Sequence, residues 1–264
     1  MRVIVTRPQP EADQWVRALR EAGNDALALP LIRVRPAADC GAVRRAWEHL
    51  AGYDAVMFVS GNAVEQFFAL KPTLAPVFNA QAAIKTRAFV TGPGSFSALL
   101  RVHAQAQCID MPERDAAQFD SEALWSVVCS RVHPGYRVLI VRGSVGSDVP
   151  GDAGQGRDWF AKQVRAAGGT VDFVVAYQRC APELGLDDRA LVAAAAADGS
   201  LWLFSSSEAI ANLAAAVPGL AWQHARALVT HARIGQAASQ AGFGTVLVSR
   251  PTLADLMASI ESMQ

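Results

Sequence analysis

The chain has 264 residues, of which 52% are hydrophobic and 18% charged, and its 24 basic side chains balance its 24 acidic ones. That length suits two domains or one large one, and such hydrophobicity without net charge excludes an intrinsically disordered chain. With no overall field to draw in a polyanion, a general nucleic-acid binder is excluded, and no nucleic acid is expected as a partner. Lys71, Lys85 and Lys162 are the only lysines, so arginine supplies nearly all the positive charge. Its flat, two-pronged donor leaves acidic small molecules open as ligands.

Arg2 to Arg7 (RVIVTR) is a β-branched run, after which Ala12, Trp15, Leu19 and Ala22 recur at helical spacing until Gly23 offers a C-terminal stop. Ala26 to Leu29 reads as a strand, Val43, Trp47 and Leu50 as a helix face, and Ala55 to Ser60 (AVMFVS) as a buried strand. The pattern continues with a strand at Ala88 to Thr91, a helix after Ser121 (SEALWSVV), a strand at Arg137 to Arg142 (RVLIVR) and a helix at Trp159 to Ala167. After Gly168 and Gly169 come strands at Val171 to Tyr177, Leu201 to Ser205, Leu228 to Thr230 and Thr245 to Val248. Such alternation predicts an α/β fold with parallel sheets flanked by helices.

Segments of the chain also repeat. MFVSGNAVEQF (Met57 to Phe67) aligns without a gap on LFSSSEAIANL (Leu203 to Leu213), RAFVT (Arg87 to Thr91) on RALVT (Arg226 to Thr230), and RVIVTR on RVLIVR. Three matches in the same order predict a duplication and two similar α/β lobes of ordinary domain size. The competing reading is that buried strands resemble one another because all are built from Val, Leu and Ile.

In open parallel sheets ligands sit beyond the carboxyl ends of the strands. Those ends read Thr6 and Arg7; Ser60, Gly61 and Asn62; Thr91 to Ser95; Arg142, Gly143 and Ser144; and Ser205, Ser206 and Ser207. Small and hydroxylated residues there leave backbone N–H groups accessible, a rim suited to a polyanion. Ser60 and Ser206 lack the G-x-S-x-G setting of a hydrolase nucleophile, which leaves helix capping and ligand donation. No P-loop or dinucleotide fingerprint is present, and the glycine-rich Gly143 to Gly156 lacks the P-loop lysine and reads as a loop. His49, His103, His133, His224 and His231 have no metal-ligand spacing and read as surface or loop residues, so no metal is expected. Cys40, Cys108, Cys129 and Cys180 are scattered, the start MRVIVTRPQP lacks a signal-peptide pattern, and no apolar stretch reaches membrane-spanning length. A cytoplasmic protein without a membrane partner is expected.

In order along nearly the whole chain, VIVTRP, YDAVMFVSGNAV (Tyr53 to Val64), VTGPGS (Val90 to Ser95), SEALW, VLIVRG, VVAYQR (Val174 to Arg179) and LFSSSEAIANL followed by RIGQAASQAGF resemble the landmarks of the uroporphyrinogen-III synthase family. The resemblance implies two α/β lobes joined by a two-stranded antiparallel linker. One lobe would comprise 1–33 and 178–264, the other 36–174, with linkers near 31–36 and 175–182, close to Pro30, Pro36 and Pro182. It implies a monomer that cyclises hydroxymethylbilane, a linear tetrapyrrole octacarboxylate, to uroporphyrinogen III with inversion of ring D and loss of water, using no cofactor.

By the same resemblance Tyr177 is the proton donor, the alternative being an ordinary strand tyrosine. Substrate binding falls to Thr6, Arg7, Ser60, Gly61, Asn62, Gly92, Ser95, Arg142, Ser205, Ser206 and Gly235. Arg7 and Arg142 hold equivalent places in the repeats and could pair with carboxylates, or merely with surface acids. The family pattern of a glycine followed three residues later by Thr-Ala fails after Gly235, where Ala238 lacks the hydroxyl, whereas Ser95 after Gly92 keeps it. The competing function is a non-catalytic bilobed anion binder or a regulatory paralogue of the same fold.

Overall fold

The computed structural model describes residues 1–72, 77–80, 82, 85–113, 116, 118–145 and 155–263, the side chains of 155–158 excepted. In chain order the elements are β1 (Arg2–Val5), α1 (Glu11–Glu21), β2 (Asp25–Ala28), β3 (Arg33–Pro36), α2 (Cys40–Glu48), β4 (Ala55–Phe58), α3 (Gly61–Phe68), β5 (Arg87–Val90), α4 (Pro93–Arg101), β6 (Ile109–Asp110) and α5 (Ser121–Val128). There follow β7 (Arg137–Val145), α6 (Gln155–Ala166), β8 (Thr170–Cys180), α7 (Leu186–Ala197), β9 (Leu201–Phe204), α8 (Ser207–Ala216), β10 (Arg226–Val229), α9 (Ala232–Gln240), β11 (Thr245–Val248) and α10 (Leu253–Glu261). They divide into one unit of Met1–Val34 with Cys180–Gln264 and a second of Arg35–Arg179.

In the first unit β2, β1, β9, β10 and β11 pair in that order, all parallel. Because successive side chains alternate across a strand, the two faces bury different sets. Val3 and Val5 of β1 join Leu203, Leu228, Trp15 and Leu19 of α1 and Leu256 and Ile260 of α10. Ile4 faces the other way, with Trp202, Phe204, Ile210 of α8, Ile234 of α9 and Phe243. Helix α1 ends where Gly23 takes φ +85°, a left-handed turn that returns the Asn24 N–H to the Leu19 carbonyl at 3.0 Å.

The second unit repeats this plan with β8, β7, β4, β5 and β6 in parallel and β3 beside β8. One face buries Met57, Phe89, Ile140 and, from α5 and α6, Leu124, Phe160 and Val164. The other carries an aromatic cluster in which Trp47 stacks on Phe67 (4.4 Å between centroids) and Phe58 meets Phe67 and Phe78 edge-on.

The sequence repeats coincide with the pairing registers. Val3 faces Leu201 and Leu201 faces Arg226 in one sheet, while Val138 faces Ala55 and Ala55 faces Arg87 in the other. The three repeated segments therefore fall on one common register. Chance likeness among buried strands would not reproduce it, because register depends on which residues pair and not on composition.

Two expectations are corrected. Strand β7 does not stop at Arg142 but runs to Val145, and α6 begins at Gln155, so the supposed loop Gly143 to Gly156 is strand at one end and helix at the other. Its middle, 146–154, lies outside the described residues. Likewise β8 extends as one strand to Cys180, beyond the expected end at Tyr177. The reason is shared: β7 and β8 pair with each other as far as Val145 and Arg179, and the ladder stabilises residues whose composition suggests a loop.

Tyr136, packed at the start of β7, has its phenol pushed up to about 12, chiefly by burial and then by the charges of Asp54 and Asp110. The fold holds that proton more tightly than the unfolded chain, so its contribution is complete below the ordinary tyrosine value and is lost as pH rises from 10 towards 12. Urea denaturation across that range should show falling stability, and Tyr136→Phe should flatten the fall.

Candidate functional site

Parallel pairing points every strand of a unit the same way, so the strand carboxyl ends and the N-termini of the following helices gather on one edge. In the second unit Ser60 follows β4 and caps α3, its Oγ accepting from the Ala63 N–H at 3.1 Å; Gly61 and Asn62 are the helix's first residues. Gly61 lies against α4, where an added methyl would sit 3.6 Å from the Gly94 carbonyl oxygen. Gly92 caps α4 ahead of Pro93, and Ser95 is buried in the first turn.

In the first unit Ser206 caps α8, accepting from the Glu208 N–H at 3.1 Å, and Ser205 is half-buried beside it. Thr6 is only 1% exposed, and its hydroxyl donates to the Leu203 carbonyl at 2.7 Å, tying β1 to β9.

The register changes one assignment. Arg87 and Arg226 are equivalent, so the counterpart of Gly92 is His231 and that of Ser95 is Ile234. Gly235 is not that counterpart: it lies inside α9, its N–H bonded to the His231 carbonyl at 3.1 Å, and a methyl added there would sit 3.5 to 3.7 Å from Val229, Val246 and Val248. It serves helix packing and offers no free donor. The missing hydroxyl therefore belongs to Ile234, while Ala238 is a buried packing residue. His231, read from sequence as a surface or loop residue, caps α9, with Nδ1 accepting from the Arg233 N–H at 3.1 Å.

Arg7 and Arg142 are equivalent in register but not in chemistry. Arg7 is already neutralised, with Nη1 2.6 Å from the Glu11 carboxylate and its guanidinium 4.0 Å from the centre of the Trp15 ring. Arg142 lies in β7 over the Phe173 ring at 4.6 Å, with no carboxylate partner among the described residues. Its Nη1 and the Oγ of Ser144, two residues on, are buried without a hydrogen bond among the described residues. Buried donors are normally satisfied, so this pair on one strand departs from the rule among the described residues.

Next to them, the β7–β8 ladder shifts register between Arg142 and Gly143, so that Gly143 comes to face Tyr177. A methyl on Gly143 would lie 2.5 Å from the Tyr177 ring, so only glycine leaves room for it. The ring is 2% exposed, and its hydroxyl lies 2.9 Å from Ser60 Oγ, with either group able to donate. The structure thus brings Ser60, Gly143 and Tyr177 together, with Arg142 and Ser144 on the same strand. The other tyrosines are committed elsewhere: Tyr53 donates to Asp172 at 2.9 Å and is raised above its usual range by burial and then by that bond, while Tyr136 is packed in the core. Among the described residues no cluster of His, Cys, Asp and Glu could hold a metal ion.

The sequence profile described as uroporphyrinogen-III synthase HemD matches residues 13–258. The chain belongs to the uroporphyrinogen-III synthase family. The family reaction is cyclisation of hydroxymethylbilane in haem biosynthesis, and a non-catalytic paralogue is not favoured. Among solved structures the chain is similar to a uroporphyrinogen-III synthetase from Helicobacter pylori, with TM-score 0.55, 11% identity and full coverage of both chains. It is also similar to a mutant uroporphyrinogen III synthase from Thermus thermophilus, with TM-score 0.54, 12% identity, and 99% and 98% of the two chains covered. At such identities the likeness is one of fold. Comparison with curated proteins gives no match. No helix among the described residues is long and apolar enough to cross a membrane.

The role of Gly143 as the seat of Tyr177 was hidden in a glycine-rich stretch, and only the register shift in the ladder exposes it. Gly143→Ala should cost roughly 1–3 kcal/mol in urea denaturation, because the ring must leave its place or the ladder must open. An unchanged denaturation midpoint would mean that the ring has another position available.

Proposed function

We propose that this chain closes hydroxymethylbilane to uroporphyrinogen III with Tyr177 as the proton donor and with Arg142 and Ser144 receiving a substrate carboxylate. The single observation that carries the reading is the Tyr177 hydroxyl at 2.9 Å from Ser60, on the strand-end edge of the second unit, with unsatisfied polar groups on the neighbouring strand.

The chemistry asks for little more than a proton donor and a fixed substrate shape. The ring A nitrogen lone pair expels the hydroxyl, which leaves as water once Tyr177 has protonated it, and an electrophilic azafulvenium cation remains. Attack by the substituted carbon of ring D gives a spiro intermediate that fragments and recloses with ring D inverted. The final loss of a proton from carbon restores the Tyr177 phenol. A phenol hydroxyl carries one proton that it can donate to the leaving oxygen. Without the enzyme the unsubstituted carbon reacts and ring D is not inverted, so positioning decides which isomer forms.

Gly61, Asn62, Gly92 and Ser95 lie at the starts of two helices on the same edge of the second unit, where N–H groups and helix dipoles favour acetate and propionate side chains. In this reading Ser205 and Ser206 present similar groups at the strand-end edge of the first unit, whereas Thr6 and Arg7 are occupied in holding β1 and α1. The protein acts as a monomer in the cytoplasm.

Purified protein given freshly generated hydroxymethylbilane should yield the type III isomer in excess after oxidation and chromatographic separation of products; type I alone at the spontaneous rate from folded protein would defeat the proposal. Tyr177→Phe should lower turnover by more than about tenfold while the thermal unfolding midpoint moves little, because the ring still fills its place over Gly143.

A further inference from the structure

We infer that Ser60 is a positioning residue for this reaction, holding the Tyr177 phenol in place and donating to the phenolate left when Tyr177 gives up its proton. The inference rests on the reading of Tyr177 as the donor.

A serine hydroxyl has one proton to donate and two lone pairs to accept with. One lone pair of Ser60 is taken by the Ala63 N–H at 3.1 Å, in the first turn of α3. The contact of 2.9 Å with Tyr177 can run in either direction. Once the phenol proton points at a leaving oxygen, only the Ser60 proton can fill that contact. The bonds then form one chain, from the Ala63 N–H through Ser60 O–H and Tyr177 O–H to the substrate, in which each link polarises the next. Transfer turns the Ser60 to Tyr177 bond into a charge-assisted one, beside the positive end of α3. Proton balance is kept, since water carries the proton away and the closing deprotonation of the product carbon returns one to the phenolate.

Gly143 fixes the remaining coordinate. With the ring seated on the Gly143 backbone and the hydroxyl held by Ser60, Tyr177 has one orientation. The first unit provides an internal comparison. Ser206 caps α8 at the position equivalent to Ser60, yet the chain following β2 there supplies Leu29, Leu31 and Ile32, and no phenol. A serine thus caps the equivalent helix in both units, and only the second unit adds a group for that serine to orient.

The test is a double-mutant cycle on kcat and KM for type III formation. Glycine caps a helix nearly as well as serine but carries no hydroxyl, and aspartate caps well but can only accept. Ser60→Gly should lower kcat about tenfold with KM within about twofold, and Ser60→Asp should lower it at least as far, because its charge also opposes the phenolate. Ser60→Thr, which keeps the hydroxyl, should restore kcat to within about threefold. In the Tyr177→Phe background neither Ser60→Gly nor Ser60→Asp should cause further loss, since Ser60 then has no phenol to act through. Full activity in folded Ser60→Asp, a loss confined to KM, or an undiminished loss in the Tyr177→Phe background would overturn the inference while leaving the donor reading intact. Wild-type turnover in Tyr177→Phe alone would overturn the donor reading and this inference with it.

Discussion

Parallel strand pairing is the constraint on which the rest depends. It forbids a tight turn between neighbouring strands, so each connection returns along a helix and every strand in a unit delivers its carboxyl end to the same edge. Helix starts are delivered there too, and their unsatisfied N–H groups need caps. Ser60 and Ser206 are caps before they are anything else. The proposed chemistry is grafted onto positions that the folding of parallel sheets already fills with small hydroxylated residues.

What sets the second unit apart is a single irregularity in an otherwise regular ladder. The shift between Arg142 and Gly143 places a residue without a side chain opposite the largest side chain of β8. Moving the register by one residue would carry every following side chain to the other face. The Tyr177 ring then takes the space that a side chain at Gly143 would fill, and its hydroxyl reaches a serine 117 residues away in sequence. Glycine at 143 and the bulge are therefore one device, and removing either removes the seat.

The two units descend from one plan and have diverged in chemistry. Equivalent arginines end up neutralised by Glu11 in one unit and, among the described residues, without a carboxylate partner over Phe173 in the other. Equivalent helix starts carry Gly92 with Ser95 in one and His231 with Ile234 in the other. A repeated fold keeps core positions because packing demands them, while strand-end positions face fewer packing constraints and are free to change role.

The sequence by itself determined the alternation of strands and helices, the repeats and their register, the helix caps at Ser60 and Ser206, and the likeness to a family of cyclising enzymes. Hydrophobic period, capping residues and turn glycines are local properties, and the alignments carried register because equivalent residues occupy equivalent pairs. Tertiary structure alone decided that β7 runs through Gly143, that Gly235 packs inside a helix rather than opening towards a ligand, that Thr6 spends its hydroxyl on Leu203, and that Tyr177 meets Ser60. Each of these depends on a neighbour far away in the chain, through a ladder bond, a buried hydroxyl or a missing methyl. No local pattern encodes which of two serine caps will find a phenol beside it.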